Sequence, residues 1–168
     1  DIKVLITNKD DAGCIKRAES VKIPHKIIRS KDFSQKKLFE LEIMNTLINY
    51  DVELIVMAGW MKIVTPFFIN KFKNKIINIH PSLLPAYKGG TAINDSILNG
   101  SKITGCSVHF VEAEVDSGSL IIQAALSIRD DDDIESLSKR IQILEHKILP
   151  HSISHAGFLL RSNFMENY

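Results

Sequence analysis

A side-chain amide and an imidazole stand two residues apart in this sequence, at Asn78 and His80. They end an apolar stretch, residues 75–79, that is typical of a buried strand. Residues i and i+2 of a strand point to the same face, and Pro81 ends the strand directly afterwards. An amide donor beside an imidazole can stabilise an oxyanion that develops on a substrate. A polar strand end that only caps the following loop is the alternative that this pattern leaves open.

A carboxylate that would complete such a site is Asp116, in the turn at residues 115–118. Aspartate is favoured in turns for conformational reasons alone, so its presence does not by itself indicate a function. If Asp116 approached His80, its charge would favour the imidazolium form. His109 alternates within a predicted strand and is interpreted as a half-buried histidine with satisfied hydrogen bonds. The histidines, cysteines and carboxylates show no spacing typical of a metal site.

The elements that must position these residues alternate between strands and helices. Strands are predicted at 2–6, 25–28, 54–58 and 75–79, and helices at about 11–21, 34–50, 65 onward and 91–98. Ser34 is the predicted N-cap of the second helix, and strand 54–58 is expected to be buried on both faces. Two longer strands, 103–111 and 119–128, form a predicted antiparallel hairpin. An acidic run at 130–133 begins a last helix, which is expected to extend to about residue 149.

This order predicts the α/β class, with an open, mostly parallel, doubly wound sheet and an antiparallel hairpin at one side. Ligands of such sheets bind outside the carboxyl ends of the strands. The candidate site is therefore expected in the loops 58–64 and 78–88.

Composition restricts the class of protein. The chain has 168 residues, 45% of them hydrophobic and 24% charged, which suits one domain over residues 1–168. A formal net charge of +1 gives no indication of a nucleic-acid partner. The longest apolar runs are too short for a bilayer, so no membrane association is expected. Cys14 and Cys106 are far apart in the sequence, which favours reduced thiols and a cytoplasmic location.

Two segments resemble the folate-dependent formyltransferase family, in particular the glycinamide ribonucleotide formyltransferases. One is NIHPSLLPAYKG at residues 78–89, and the other is VHFVEAEVDSG at 108–118, followed by Ile121-Ile122-Gln123. The resemblance covers nearly the whole chain. It implies an open α/β fold, 10-formyltetrahydrofolate as cosubstrate without a metal, and the amine of 5-phosphoribosylglycinamide as acceptor, in de novo purine biosynthesis.

The resemblance also implies residue roles. The catalytic residues would be Asn78, His80 and Asp116. Folate binding would fall to Lys36, Met61, Lys62, Ile63, Val64, Asn78, Glu112, Ala113, Glu114 and Val115. Ribonucleotide binding would fall to Pro81, Gln142 and Glu145. The implied partners are these small molecules, in a monomer or homodimer.

Three features depart from the family pattern. Ile2 matches the family's second strand, so the first strand and its phosphate-binding loop are expected to be absent from this chain, most simply because they precede Asp1. Residues 90–92 are smaller than the histidine-containing stretch of many members, and Trp60 replaces a commoner Phe.

Two other functional classes stay open from the sequence. The first is a different formyl-folate enzyme, either a formyltetrahydrofolate hydrolase or a methionyl-tRNA formyltransferase domain. The second is a non-catalytic module that binds folate or a nucleotide. Gln142 and Glu145 favour the ribonucleotide enzyme over the first class, and the intact set of Asn78, His80 and Asp116 argues against the second.

Overall fold

The computed structural model describes residues 1–162, which fold as two compact units divided between Glu53 and Leu54. The first unit contains β1 (Leu5–Thr7), α1 (Gly13–Ser20), β2 (His25–Ile27), a 3-10 turn (Ser30–Asp32) and α2 (Lys36–Asn49). The second contains β3 (Ile55–Met57), α3 (Pro66–Lys71), β4 (Ile76–His80), α4 (Ala92–Leu98), β5 (Ile103–Phe110), β6 (Leu120–Ser127) and α5 (Ile134–Arg161).

In the first unit, β1 and β2 pair in parallel, with Leu5 opposite His25. Helix α2 buries Phe39, Ile43 and Leu47, which are four residues apart and therefore share one face. The helix begins at Lys36, and its N-cap is Gln35, whose side chain makes no capping bond. The predicted N-cap at Ser34 is wrong because the helical turn closes on the Gln35 carbonyl, which accepts from the Leu38 amide.

The second unit is built on a four-stranded sheet of order β3-β4-β5-β6. Strands β3 and β4 are parallel, whereas β4 pairs antiparallel with β5 and β5 with β6. The α/β class and the antiparallel hairpin at one side of the sheet are confirmed.

Alternation along β4 and β5 gives this sheet one apolar and one polar face. Ile77, Ile79, Cys106, Val108 and Phe110 pack in one core cluster with residues of α5, namely Leu137, Ile141 and Ala156. The intervening residues are Asn78 and His80 on β4 and Ser107 and His109 on β5. Because Asn78 lies opposite His109 and His80 opposite Ser107, these four form a polar patch on the other face.

Two elements differ from their predictions. Strand β3 is not buried on both faces, since Val56 is 36% exposed; β3 lies at the edge of its sheet, which an apolar run alone does not reveal. Helix α5 does not end near residue 149 but continues through Pro150 to Arg161. A proline inside a helix removes one backbone hydrogen bond. The completely buried Ser152 and Ala156 hold the following turns against the protein interior, which offsets that loss.

Two helix starts agree with the sequence. The Thr65 hydroxyl accepts from the Phe68 amide, with Pro66 in the first turn of α3. At the start of α5, Asp133 and Ser136 exchange hydrogen bonds of 2.7 and 2.9 Å in a capping box. The acidic run therefore begins the helix as expected.

Gly118 is required at the base of the β5–β6 hairpin. A Cβ at this position would lie 1.8 Å from the Phe110 carbonyl oxygen. We expect Gly118→Ala to lower the free energy of unfolding by about 3 kcal/mol, because backbone atoms must move to relieve the clash. Gly157→Ala is the control, since a Cβ there meets nothing within 4 Å; it should stabilise α5 by about 0.5–1 kcal/mol. Denaturant unfolding measures both, and equal values for the two variants would contradict this steric explanation.

Candidate active site

Asn78 and His80 end β4 side by side on the polar face of the sheet. His80 is 5% exposed, and Asn78 is half-buried. Parallel pairing places Met57 opposite Asn78, so the loop that follows β3 leaves the sheet beside the same end of β4. The two residues therefore lie at a carboxyl edge of the parallel strand pair, where α/β proteins bind ligands.

Asp116 joins three groups of this site through one carboxylate. Its Oδ2 lies 3.3 Å from His80 Nδ1 and accepts a 2.8 Å hydrogen bond from the Gly89 amide. Its Oδ1 lies 3.5 Å from His109 Nε2. The Asp116 backbone has φ 51°, a left-handed conformation that aspartate tolerates better than most residues. The turn conformation and the ionic contact thus both favour aspartate at this position.

Both ring nitrogens of His80 face oxygen atoms. Nε2 lies 2.8 Å from the Tyr87 carbonyl oxygen, which can only accept, so Nε2 carries a hydrogen. Nδ1 faces the Asp116 carboxylate, so a hydrogen on Nδ1 gives an ion pair instead of a repulsion between two acceptors. The doubly protonated, cationic ring satisfies both contacts.

His109 orients the side-chain amide of Asn78. Its Nδ1 lies 2.8 Å from the Phe110 carbonyl oxygen and therefore carries the hydrogen of the neutral ring, which leaves Nε2 to accept from Asn78; Asp116 Oδ1, 3.5 Å from Nε2, receives no hydrogen bond from this tautomer. Nε2 lies 3.4 Å from Asn78 Nδ2, so the Asn78 amide presents its nitrogen to His109. Burial lowers the pKa of His109, and the nearby His80 adds to this effect, while the Phe110 carbonyl and Asp116 oppose it. The neutral ring is thereby favoured.

Both ring nitrogens of His109 have polar partners, as predicted. The residue is fully buried instead of half-buried, and it belongs to the site. The sequence contained a signal for this. His109 and Ser107 alternate with Cys106, Val108 and Phe110, so a strand must place the two polar residues on the face of Asn78 and His80. The contributions of the Tyr87 carbonyl and the Gly89 amide have no sequence signal, because every residue carries these groups.

The lowered pKa of His109 predicts a pH effect on stability. Its folded-state pKa lies below the unfolded value, so between the two the unfolded chain binds more protons. The free energy of unfolding is therefore not reduced by His109 above about pH 6.5, and it decreases as the pH falls below that value. We expect His109→Gln to reduce the acid-side slope of the unfolding free energy by at most about 1.4 kcal/mol per pH unit, the limit for one proton. Urea unfolding between pH 5 and 8 measures the slope, and identical slopes in the two proteins would contradict the expectation.

The residues expected around the folate lie on exposed loops. Met61, Lys62 and Ile63 are exposed between β3 and α3, and Val64 is half-buried. The segment from Glu112 to Val115 is exposed between β5 and β6. Glu114 pairs with Lys88 at 3.2 Å, so this segment contacts the loop after β4. Lys36 is the first residue of α2 and belongs to the first unit.

The residues expected around the ribonucleotide lie on α5 and after β4. Gln142 is exposed and Glu145 is half-buried; they are three residues apart, so they share a helical face. Burial raises the pKa of Glu145. Burial raises the pKa of the Cys106 thiol on β5 to about 12, and the charge of Glu145 adds to this effect. Glu145 therefore lies on the side of α5 that is near the sheet. Pro81 is half-buried directly after His80.

Two features are absent from residues 1–162. No group of three or more histidine, cysteine, aspartate or glutamate residues is arranged to hold a metal ion. None of the helices in this range combines the length and apolar character that crossing a membrane requires.

Comparison with known proteins identifies relatives over most of the chain. Residues 1–153 match the family model described as formyl transferase. The chain is 42% identical over 153 residues to the trifunctional purine biosynthetic protein adenosine-3 of Chironomus tentans, and 36% identical over 152 residues to the protein of the same name of Homo sapiens. These matches cover 91% and 90% of the chain but only 11% and 15% of the two relatives, respectively.

Solved structures give the same result. Phosphoribosylglycinamide formyltransferase from Bacillus halodurans superposes with a TM-score of 0.88 at 34% identity, over 95% of this chain and 81% of that one. The enzyme of that name from Coxiella burnetii gives a TM-score of 0.86 at 40% identity, over 94% of this chain and 75% of that one. This chain therefore belongs to the formyl transferase family.

Proposed function

We propose that this chain transfers the formyl group of 10-formyltetrahydrofolate to the amine of 5-phosphoribosylglycinamide, in de novo purine biosynthesis. The proposal rests on one observation above all: the carboxylate of Asp116 lies against the buried imidazole of His80, two residues from the Asn78 amide. The names of the relatives, a trifunctional purine biosynthetic protein and phosphoribosylglycinamide formyltransferases, support this acceptor and this pathway. The chain spans only a small part of its trifunctional relatives, so the activity proposed is that of their formyl transferase region.

The reaction requires charge stabilisation and proton transfer. The substrate amine attacks the formyl carbon, a C–N bond forms, and the carbonyl electrons move to oxygen. The tetrahedral species then collapses, the bond to the folate nitrogen breaks, and that nitrogen takes a proton while the attacking nitrogen loses one. One well-placed donor to the oxyanion contributes about 3–4 kcal/mol to lowering the barrier.

Each group of the site suits one of these tasks. The Asn78 amide keeps one hydrogen for the formyl oxygen while the other is directed to His109. Cationic His80 places a positive charge beside that oxygen, and Asp116 holds the charge in place. Donation of a proton by His80 to the leaving nitrogen requires its Nε2–H to exchange the Tyr87 carbonyl for the substrate. Asp116, acting through water, takes up the proton of the attacking amine.

The binding residues are proposed on the same basis. Met61 and Ile63 are 77% and 64% exposed, which suits contact with the apolar faces of a folate ring. Val64, Lys62 and the segment 112–115 complete that side. For Lys36 in the first unit, the proposed role remains the one that the family resemblance implies, a basic contact to the glutamate tail. Within the described residues, the carboxyl of Glu145 has neither an ion-pair nor a hydrogen-bond partner, so it is suited to take the substrate amine or hydroxyl groups as donors. Gln142 and Pro81 are the other proposed contacts to the ribonucleotide.

We further infer a metal-independent reaction in the cytoplasm, by a monomer or homodimer. Free thiols at Cys14 and Cys106 support a reducing compartment. The phosphate of the ribonucleotide would bind to a loop at a helix start, which the family places before the strand that corresponds to β1.

The decisive experiment is an assay of the protein, together with any sequence that naturally adjoins this chain, with 10-formyltetrahydrofolate in the presence and absence of 5-phosphoribosylglycinamide. We expect formylation of the ribonucleotide amine and no formate release without the acceptor. Formate release alone would identify a hydrolase, and formylation of methionyl-tRNA instead would identify the tRNA enzyme. Folate binding without either product would identify a binding module, and each of these three results would overturn the proposal.

A further inference from the structure

The loop that carries the Tyr87 carbonyl is anchored to the sheet through the Ser107 hydroxyl. Ser107 Oγ donates to the Ser82 carbonyl at 2.6 Å and accepts from the Leu84 amide at 3.0 Å and from Gln123 Nε2 at 2.8 Å. A hydroxyl has one hydrogen and two lone pairs, so its hydrogen-bonding capacity is fully used. Ser82 and Ser107 are completely buried, so an unmade bond here would leave a desolvated polar group.

Gln123 on β6 completes this anchor from the solvent side. Its Nε2 donates to the Leu84 carbonyl at 3.0 Å as well as to Ser107 Oγ at 2.8 Å. The amide cannot be reversed, because the Leu84 carbonyl only accepts and the single hydrogen of Ser107 is directed to Ser82. Gln123 lies opposite Ser107 on the same face of the hairpin, beside the polar patch.

The anchored loop, residues 81–89, reaches the catalytic groups at its far end. The Ser82 hydroxyl donates to the Ala86 carbonyl at 2.5 Å, which ties the turn together. The next residue, Tyr87, has φ 54°, a conformation that is strained for a bulky side chain and persists only where the surroundings hold it. Its carbonyl accepts from His80 Nε2, and two residues later the Gly89 amide donates to Asp116. One loop thus orients both members of the ion pair.

We propose that Gln123 is a positioning residue, which holds the loop 81–89 against β5 and β6 so that the Tyr87 carbonyl and the Gly89 amide fix His80 and Asp116. The proposal rests on the proposed function for its kinetic consequence, but its structural consequence can be measured without any substrate. Gln123 touches neither reacting group, and its effect passes through Leu84 and Ser107.

The test is Gln123→Met, which keeps the side-chain length and removes both donors. Because Gln123 is exposed, folding should be preserved; Gln123→Glu, which is charged near neutral pH and cannot donate, gives a second variant of the same size. Ser127→Ala, an exposed residue on the same face of β6, is the control. We expect kcat to fall about tenfold with KM for both substrates changed less than about twofold, as for a loss of orientation.

The substrate-free readout is the ¹⁵N resonances of the His80 ring. In both Gln123 variants, we expect the Nε2 signal to shift as the Tyr87 carbonyl moves, with the control unchanged. A double-mutant cycle of Gln123→Met with Ser107→Ala should give a combined effect smaller than the sum, because both act through one network. Unshifted His80 signals in both variants would overturn the proposal, whatever the kinetics. Shifted signals in a protein that does not formylate the ribonucleotide would support the positioning role and overturn only the proposed function.

Discussion

His80→Ala is expected to lower kcat for formyl transfer at least about 100-fold, while the affinity for the folate changes little. The variant removes the imidazole that faces the Asp116 carboxylate and that is proposed to supply a proton to the leaving nitrogen. Binding of the folate is proposed for other loops, so the loss should appear in kcat and kcat/KM together. Steady-state kinetics and fluorescence titration with a folate analogue measure the two quantities.

The matched control is His155→Ala, which removes an exposed histidine from α5. It should keep the parent kcat within about twofold, as surface substitutions away from a site usually do. Comparable turnover in His80→Ala and His155→Ala would rule out a catalytic role for the buried imidazole.

Asp116→Asn extends the same expectation to the carboxylate. The substitution keeps the size of the side chain but removes the negative charge that faces His80 and His109. We expect a kcat loss of the same order, at least about 100-fold, since His80 loses its counter-ion. The double variant His80→Ala with Asp116→Asn should lose little more than either single variant, because residues that act as a unit are not additive. Additive losses would separate the two residues into independent roles.

Asn78→Ala is the second large effect, with an expected kcat loss of about 10²–10³, which corresponds to one oxyanion donor. The amide is directed to His109 through one hydrogen, so its other hydrogen is available to the formyl oxygen. The KM values should change far less than kcat, because the interaction strengthens only as the oxygen becomes negative. Asn45→Ala, an exposed position on α2, is the control. If Asn78→Ala raised KM with kcat unchanged, the residue would contribute to binding alone.

Much of the fold could be predicted because its periodicities are local. The two-residue alternation of β4 and β5 predicts strands, and Thr65-Pro66 and Asp133 mark helix starts through chemistry that acts within one turn. The predictions failed where a distant contact decides. Pro150 favours a helix end, yet the buried Ser152 and Ala156 continue the helix beyond it. Val56 is exposed because the burial of a strand's side chains depends on which other elements pack over them, and the strand's own sequence does not specify those elements.

The site divides in the same way. The sequence by itself determined that Asn78 and His80 share one face of a strand end, because alternation in an extended backbone leaves no other arrangement. It also determined that Asp116 lies in a turn, where its left-handed backbone is tolerated. Only the tertiary structure decided that this turn folds back onto His80, that His109 and not solvent receives the Asn78 amide, and that a backbone carbonyl holds the imidazole. The reason is physical: these contacts join residues that are 7 to 36 positions apart in the chain. Which groups meet depends on how several strands and loops pack together, and the residue types alone do not specify that packing.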